Sequence, residues 1–129
     1  MKEPVGIVLV SHSSLLAAGL AELLAQLGGE VPVLAAGGTD DGRLGTSYTL
    51  VHDAVVKADH GAGVAVFPDL GSSVLTTRAV LQDDPGPSAV MVDAPFVEGA
   101  VTAVVTAATG ADLAAVVAAA QEARDVAKF

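Results

Sequence analysis

Two kinds of hydrophobic pattern alternate along the chain. Short continuous runs rich in valine, such as "VGIVLV" near the start, are typical of strands that are buried on both faces. Longer segments place apolar residues three or four positions apart, which is typical of helices with one buried side. The runs predict strands at residues 5–10, 31–34, 63–67 and 89–92. Helices are predicted at residues 13–27, 47–58 and 72–81, in a segment that ends near residue 110, and from residue 112 onward.

The resulting order of elements, β-α-β-α-β-α-β-α-α, predicts the fold class. Strands that alternate with helices form a mainly parallel sheet, joined by right-handed crossovers, with helices on both faces. We therefore expect a three-layer α/β/α architecture in which the strands take the common order 2-1-3-4. Pro32 favours an edge position for the second strand, and "DDPGP" at residues 83–87 is interpreted as a turn.

Composition narrows the class of protein. A chain of 129 residues is long enough for one buried core and too short for two, so residues 1–129 are expected to form a single domain. The net charge of −9 argues against nucleic-acid binding and against attraction to anionic membranes. The sequence predicts no signal peptide, no membrane insertion and, without cysteine, no disulfide. We expect a cytoplasmic protein.

The sequence "VLVSHSS" ends the first apolar run with a histidine between serines. Ser13 or Ser14 is a natural N-cap for the first helix, whose free amide groups favour a nearby anion. His12 is therefore either a bystander in ordinary capping chemistry or a functional group beside an anion site. This segment alone supports the two interpretations equally.

Polar residues gather at one edge of the predicted sheet. Ligands of such sheets bind outside the carboxyl ends of the strands, where we place His12, Gly37–Gly38–Thr39, Asp69 and Pro95. Asp69 follows the third strand, which neighbours the first. A carboxylate there accepts a hydrogen bond from one imidazole nitrogen and makes the other nucleophilic. The simpler interpretation of Asp69 is an ordinary turn, but two complementary groups at this edge favour the first.

The remaining motifs give no strong sign of a nucleotide or metal site. The glycine-rich loop at residues 37–45 does not match a P-loop, and no GxGxxG motif follows the first strand. The loop either brings backbone amides close to an oxyanion or is a flexible surface loop. His52 and His60 lie at the wrong end of the sheet for His12 and are interpreted as surface residues. No cluster of side chains has convincing metal-ligand spacing, so no metal site is predicted.

Three polar residues at helix starts have simple interpretations. Ser72 and Ser73 are interpreted as N-caps of the third helix, although their hydroxyl groups point toward the same edge as His12. Glu98 begins the fourth helix, where the helix dipole favours an acid.

Four segments in succession resemble one family. They are "GIVLVSHSSLLAAGLAELLAQ", "VPVLAAGGTDDGRLGTS", "VAVFPDLGSSVLTTRAVL" and "DAPFVEGAVTAVVTAATGADL". They are similar to the phosphotransferase subunits (DhaM) of phosphoenolpyruvate-dependent dihydroxyacetone kinases, in the domain that resembles the mannose-type enzyme IIA. The resemblance runs from Val5 to about Leu113. It implies the flavodoxin-like topology of the mannose-type enzyme IIA.

The resemblance implies a phosphoryl carrier. His12 matches the phosphorylated histidine of the family, which receives phosphate from the phosphocarrier protein HPr and passes it to ADP bound on the DhaL subunit. The ATP formed there phosphorylates dihydroxyacetone bound by the DhaK subunit. Asp69 matches the acidic residue expected to orient the imidazole. The residues expected around the phosphohistidine are Ser13, Gly37, Gly38, Thr39, Gly45, Thr46, Gly71, Ser72, Pro95, Glu98 and Gly99.

The family also implies a homodimer that itself binds no cofactor, since ADP and Mg²⁺ belong to the partner subunit. Two other functions stay open as alternatives. A small histidine-dependent metal chelatase would need a second ligand on the same edge, and His52 and His60 are badly placed for it. A receiver-like or ligand-binding module of doubly wound fold is the third interpretation. The chain lacks the paired acidic residues that a metal-dependent receiver needs after its first strand.

Overall fold

A computed structural model describes residues 3–84 and 88–129 of the chain. Four strands alternate with four helices, and a fifth helix and a short 3₁₀ turn follow. The strands are β1 (Gly6–Ser11), β2 (Val33–Gly37), β3 (Val64–Pro68) and β4 (Ala89–Met91). The helices are α1 (Ser14–Gly28), α2 (Tyr48–Ala58), α3 (Ser72–Asp83), α4 (Phe96–Ala108) and α5 (Leu113–Glu122), and the 3₁₀ turn is Ala123–Asp125.

The four strands form one parallel sheet in the order β2-β1-β3-β4, which confirms the predicted order. β1 and β3 are central, and β2 and β4 lie at the edges. At the carboxyl end of the sheet, Ser11 pairs with Gly37 and Val10 pairs with Pro68. The loops that leave β1, β2 and β3 therefore start side by side.

Alternate side chains of β1 enter two separate cores. Ile7 and Leu9 pack with residues of α1, α4 and α5 on one face of the sheet. Val8 and Val10 pack with residues of α2 and α3 on the other face. All four side chains are completely buried, as the continuous apolar run predicts. The two helical layers and the sheet form the expected three-layer α/β/α architecture.

The second strand differs most from the prediction. β2 begins at Val33 and ends at Gly37, whereas the sequence pattern predicts residues 31–34. Pro32 lies just before the strand; it has no N–H to donate, and its carbonyl accepts a hydrogen bond from the Ile7 amide at 2.8 Å. The strand continues through Ala35 and Ala36, whose strand propensity is weak. Pairing with β1 makes these small residues a strand.

The helices begin close to the predicted positions. α5 follows its N-cap Asp112, whose side chain accepts a hydrogen bond from the Ala115 amide at 2.9 Å. α3 continues to Asp83, two residues beyond its predicted end. The predicted turn at 83–87 lies partly outside the described residues. Within residues 3–84 and 88–129, no helix has the length and apolar character needed to cross a membrane.

Gly6 marks a close approach between β1 and the end of α2. A Cβ atom at this position would lie 2.1 Å from the carbonyl oxygen of Ala58, so the backbone would have to shift. We expect Gly6→Ala to lower the free energy of unfolding by about 1–3 kcal/mol, as overpacking of a core does. Urea denaturation followed by circular dichroism measures this change.

Gly19 provides the matched control for Gly6. It lies in α1, and a Cβ atom there meets no heavy atom within 4 Å. Gly19→Ala is therefore expected to raise the free energy of unfolding by up to about 1 kcal/mol, because alanine has the higher helix propensity. Equal stability of Gly6→Ala and the unmodified protein would contradict the close approach of β1 to α2.

Candidate functional site

The carboxyl ends of the two central strands bring His12 and Asp69 together. His12 directly follows β1 and Asp69 directly follows β3, and the Asp69 amide donates to the carbonyl of Val10 at 2.9 Å. The imidazole Nδ1 lies 3.1 Å from a carboxylate oxygen of Asp69. The His12 side chain is 31% exposed and that of Asp69 is 10% exposed. The imidazole is therefore the more accessible of the two groups.

Asp69 is surrounded by hydrogen-bond donors. One carboxylate oxygen accepts from Ser11 Oγ at 2.8 Å and from the His12 amide at 3.2 Å, and the other accepts from the Leu70 amide at 2.7 Å. Burial by itself raises the pKa of Asp69. Hydrogen bonds from Ser73, Ser11 and the backbone amides outweigh burial and lower the pKa to about 2. Asp69 is therefore ionised at neutral pH.

The ionised carboxylate determines the tautomer of His12. A carboxylate only accepts hydrogen bonds, so Nδ1 carries the proton and donates to Asp69. In the neutral imidazole, Nε2 then holds a lone pair. The hydroxyl group of Ser72 donates to Nε2 at 2.7 Å. Nε2 is therefore the nitrogen that is able to act as a nucleophile, and one hydroxyl group covers it.

Ser72 and Ser73 do not cap α3, so the interpretation of these serines as N-caps is wrong. The N-cap is Gly71, and no side chain caps this helix. The two hydroxyl groups lie instead against the imidazole, that of Ser72 at Nε2 and that of Ser73 3.2 Å from Nδ1. The positive φ of 51° at Gly71 suits glycine and turns the start of α3 toward His12. The helix N-terminus, with its partial positive charge, is therefore next to the ring.

Ser13 caps α1, as one of the two predicted capping serines. Its Oγ accepts a hydrogen bond from the Leu16 amide at 3.2 Å. Its own amide donates to Ser11 Oγ at 3.0 Å. The Ser13 hydroxyl is thus already engaged by the helix, and its contact with an anion stays a prediction.

The loop after β2 packs against the backbone around His12. The amide of Gly38 donates to the carbonyl of Ser11 at 3.0 Å, and the amide of Gly45 donates to the carbonyl of His12 at 2.9 Å. Gly37 leaves no room for a side chain, because a Cβ atom there would lie 2.6 Å from the N-cap carbonyl oxygen of α1. These glycines let the loop and the start of α1 approach each other closely.

The two predicted threonines have different surroundings. Thr39 closes the loop on itself, since its amide donates to the Arg43 carbonyl at 2.8 Å and its hydroxyl donates to Asp41. The hydroxyl of Thr46 lies 2.9 Å from that of Thr76 and 3.5 Å from that of Ser72. Thr46 therefore lies beside the Ser72 hydroxyl that covers Nε2, and Thr39 stabilises the loop.

Three predicted pocket residues lie along α4. Pro95 is its N-cap and Glu98 is in its first turn, where Glu98 forms an exposed ion pair with Lys128 at 3.6 Å. Gly99 is buried, and a Cβ atom there would lie 2.7 Å from the Cβ of Ala94. The same Cβ atom would lie 3.5 Å from the ring of Phe67 in β3 and 3.6 Å from the carbonyl oxygen of Ala120 in α5. The structure does not join them to His12.

Two buried serines complete the surroundings of Asp69, and the sequence pattern does not distinguish them from structural residues. Ser11 and Ser73 are both completely buried polar side chains. Ser11 is the last residue of the buried strand β1. Ser73 is the second residue of α3, where a serine is common for structural reasons alone. The signal available in the sequence is a serine directly before His12 and a pair of serines three and four residues after Asp69.

The other histidines lie away from this site. His52 Nε2 is 2.9 Å from a carboxylate oxygen of Asp84, and its ring stacks on Tyr48. Hydrogen bonds to Asp84, and then to Asp53, raise the pKa of His52. His60 lies 4.0 Å from Glu3. In the described ranges, no group of three or more His, Cys, Asp or Glu side chains is arranged to hold a metal ion.

Comparison with known proteins identifies the family. Residues 6–117 match the EIIA-man family, described as the PTS system fructose IIA component. A DhaM phosphoryl donor subunit of dihydroxyacetone kinase 2 from Listeria innocua is 36% identical over 105 residues, covering 78% of this chain and 84% of the relative. The phosphotransferase subunit DhaM from Lactococcus lactis is 32% identical over 111 residues, covering 86% and 89%.

A solved structure has a similar fold. It is the crystal structure of a protein of unknown function, 35% identical, with a TM-score of 0.83 and coverage of 92% of this chain and 94% of that one. The DhaM subunit of Escherichia coli is 34% identical over 116 residues, and the match spans 25% of its length. The chain therefore belongs to the EIIA-man family, in the group of the DhaM phosphoryl donor subunits of dihydroxyacetone kinases.

Proposed function

We propose that this chain carries phosphate on Nε2 of His12 between the phosphocarrier protein HPr and ADP bound on a DhaL subunit. The ATP formed there then phosphorylates dihydroxyacetone on a DhaK subunit. The observation that supports this most is the His12–Asp69 pair: Asp69 holds the proton on Nδ1 and leaves the lone pair of Nε2 at an accessible edge. The names of the related DhaM subunits supply the kinase system.

In the first step, the lone pair of Nε2 attacks the phosphorus atom on the donor's phosphohistidine. The Nε2–P bond forms while the donor's N–P bond breaks, and the electron pair of that bond returns to the donor imidazole. His12 gains positive charge as the bond forms, and the ionised Asp69 at 3.1 Å stabilises it. Nδ1 keeps its proton throughout this step.

The phosphoryl oxygens need donors in place of water. The Ser72 hydroxyl, which donates to Nε2 in the free protein, loses that acceptor when the Nε2–P bond forms and turns to a phosphoryl oxygen. The amides of Ser73 and Val74 already donate to the carbonyls of Leu70 and Gly71, so the start of α3 contributes the partial positive charge of a helix N-terminus. Thr46, next to Ser72, adds a second hydroxyl group. These donors stabilise the negative charge on the phosphoryl group.

In the second step, a terminal phosphate oxygen of ADP attacks phosphorus. The O–P bond of ATP forms, the Nε2–P bond breaks, and its electron pair returns to Nε2. ADP and Mg²⁺ are held by the partner subunit, and His12 supplies only the phosphoryl group. This chain therefore acts without a cofactor of its own, and we propose that it does so as a homodimer.

Radiolabelled phosphoenolpyruvate with enzyme I and HPr tests the proposal. We expect one phosphate per chain, labile in acid and stable in base, as a phosphohistidine is. Addition of DhaL with ADP should move the label to ATP. A label that is stable in acid, or one that DhaL with ADP leaves on the chain, would contradict the proposed function.

A further inference from the structure

Ser73 is a completely buried serine that contacts both members of the His12–Asp69 pair. Its Oγ lies 3.2 Å from Nδ1 of His12. It also forms a hydrogen bond with the carboxylate of Asp69. Burial raises the pKa of that carboxyl group, and the bond from Ser73 comes first among the contacts that lower it. Because the side chain is closed to bulk solvent, water does not replace either contact.

The chemistry of these three groups determines the direction of their hydrogen bonds. An ionised carboxylate has no proton to give, so the Ser73 hydroxyl donates its single proton to Asp69. The lone pairs of Ser73 Oγ are then left for Nδ1. The N–H group at Nδ1 thus lies between two acceptors, a carboxylate oxygen of Asp69 at 3.1 Å and Ser73 Oγ at 3.2 Å. Both acceptors favour the tautomer with its proton on Nδ1.

Two neighbouring serines of α3 divide the nitrogens of the imidazole between them. Ser72 is exposed and lies at Nε2, whereas Ser73 is buried and lies at Nδ1. When Nε2 takes up phosphate, the contact of Ser72 with that nitrogen is lost. The contact of Ser73 is with the other nitrogen, so it persists. Ser73 therefore acts on the phosphorylated imidazole as well as on the free one.

The proton on Nδ1 determines how easily the imidazole leaves phosphorus. When an oxygen of the acceptor attacks phosphorus, the Nε2–P bond breaks and its electron pair returns to Nε2. With the proton on Nδ1, the ring leaves as neutral imidazole. Without that proton, the ring would leave as an imidazolate anion, which is a much stronger base and a poorer leaving group. A second acceptor at Nδ1 therefore affects the release of phosphate.

We propose that Ser73 is a positioning residue that keeps the proton on Nδ1 of His12 while Nε2 carries phosphate. This inference rests on the proposed function and adds to it a role in the second transfer step. Asp69 supplies the negative charge, and Ser73 holds the carboxylate in place and shares the proton of Nδ1. In residues 3–84 and 88–129, Asp69 is the only charged side chain within hydrogen-bonding distance of the ring. The neutral Ser73 is thus the second group that holds this proton.

Ser73→Ala tests this role through the pH dependence of phosphate release. The parent protein carries His52→Gln and His60→Gln, so that His12 is the only histidine left of three. Phosphoramidate phosphorylates it without a partner protein, and the release of inorganic phosphate is followed from neutral to alkaline pH. Here the oxygen of water attacks phosphorus, and the Nε2–P bond breaks as it does in transfer to ADP.

We expect the pH profile of phosphate release to move toward acid by about one pH unit in Ser73→Ala, because Nδ1–H loses one of its two acceptors. At the acid end of the range the ring keeps its proton in both proteins, so both should release phosphate at the same rate. The ¹⁵N signal of Nδ1 in the phosphorylated protein should follow the same shift.

Two further variants separate this effect from a loss of packing. Ser73→Cys keeps a side chain of similar size, but a thiol is a weak donor and acceptor, so its profile should move in the same direction. Thr77→Val is the matched control. Thr77 is also completely buried in α3, one turn after Ser73, and its hydroxyl has no hydrogen-bond partner among the described residues. The profile of Thr77→Val should equal that of the parent protein.

An unchanged profile in both Ser73 variants would overturn the proposal, and so would a rate that falls equally at every pH. Failure of HPr to label the chain, or of DhaL with ADP to remove the label, would contradict the proposed function alone, since hydrolysis needs neither partner. If phosphoramidate leaves no phosphate on His12, both proposals are wrong.

Discussion

Replacing His12 with glutamine is expected to abolish phosphorylation of the chain by phosphoenolpyruvate, enzyme I and HPr. Glutamine keeps much of the side-chain length but has no nitrogen with a lone pair for the Nε2–P bond. The fold should persist, because the imidazole is partly exposed and belongs to neither core. Labelling with radioactive phosphoenolpyruvate, beside a circular dichroism spectrum, measures both expectations.

His52→Gln and His60→Gln are the matched controls for His12. His52 lies in α2 and contacts Asp84, which directly follows α3. His60 lies near Glu3, at the end of the sheet opposite His12. Both variants should be labelled as fast as the unmodified chain. A normal label on His12→Gln, or loss of label on His52→Gln, would place the phosphate on another residue. In the unmodified chain, ¹⁵N spectra of the phosphoprotein should show phosphorus on Nε2 of His12.

Replacing Asp69 with asparagine is expected to slow phosphoryl transfer by roughly a hundredfold, because it changes the tautomer of His12 and removes a charge. The asparagine amide is able to donate to Nδ1, and the proton then moves to Nε2, which loses its lone pair. The positive charge that develops on the imidazole is also no longer balanced. Rapid-quench labelling gives the rate, and ¹⁵N spectra of the imidazole give the tautomer.

Asp69→Ala should slow transfer as well, with the fold intact. It removes the acceptor of the buried Ser11 hydroxyl, so some loss of stability is expected beside the kinetic effect. Asp93→Asn is the control, since Asp93 is 90% exposed and contacts Arg124 rather than His12. An unchanged rate in Asp69→Asn would remove the orienting role of Asp69. A changed rate without any change in the tautomer would limit that role to charge.

Hydrophobic periodicity was sufficient to predict the architecture. The middle of β1 is a continuous run of β-branched and leucine residues, which is typical of a strand buried on both faces. The predicted boundaries of β2 were wrong, because the strand propensity of its last residues is weak. Ala35 and Ala36 carry little preference for a strand, and hydrogen bonding to β1 decided their conformation.

The central pair of the site was also predictable, because topology alone places the ends of neighbouring parallel strands together. His12 and Asp69 follow β1 and β3, so the order 2-1-3-4 was enough to expect their contact. The contacts of Ser72 and Ser73 with the imidazole were not predictable, because a serine at a helix start is most simply interpreted as an N-cap. Gly71 takes the N-cap position, and this leaves both hydroxyl groups to the imidazole.

The pattern of residues along the chain was enough to predict the three-layer fold, the order of the strands and the edge at which His12 and Asp69 meet. These follow from short-range patterns of burial and from general rules for parallel sheets. The protonation of the two groups, in contrast, follows from contacts between distant parts of the chain. The proton on Nδ1 and the ionised Asp69 depend on donors from β1, the turn after β3 and α3. Hydrogen bonds between parts of the chain that are 57 or 58 residues apart leave no local pattern in the sequence.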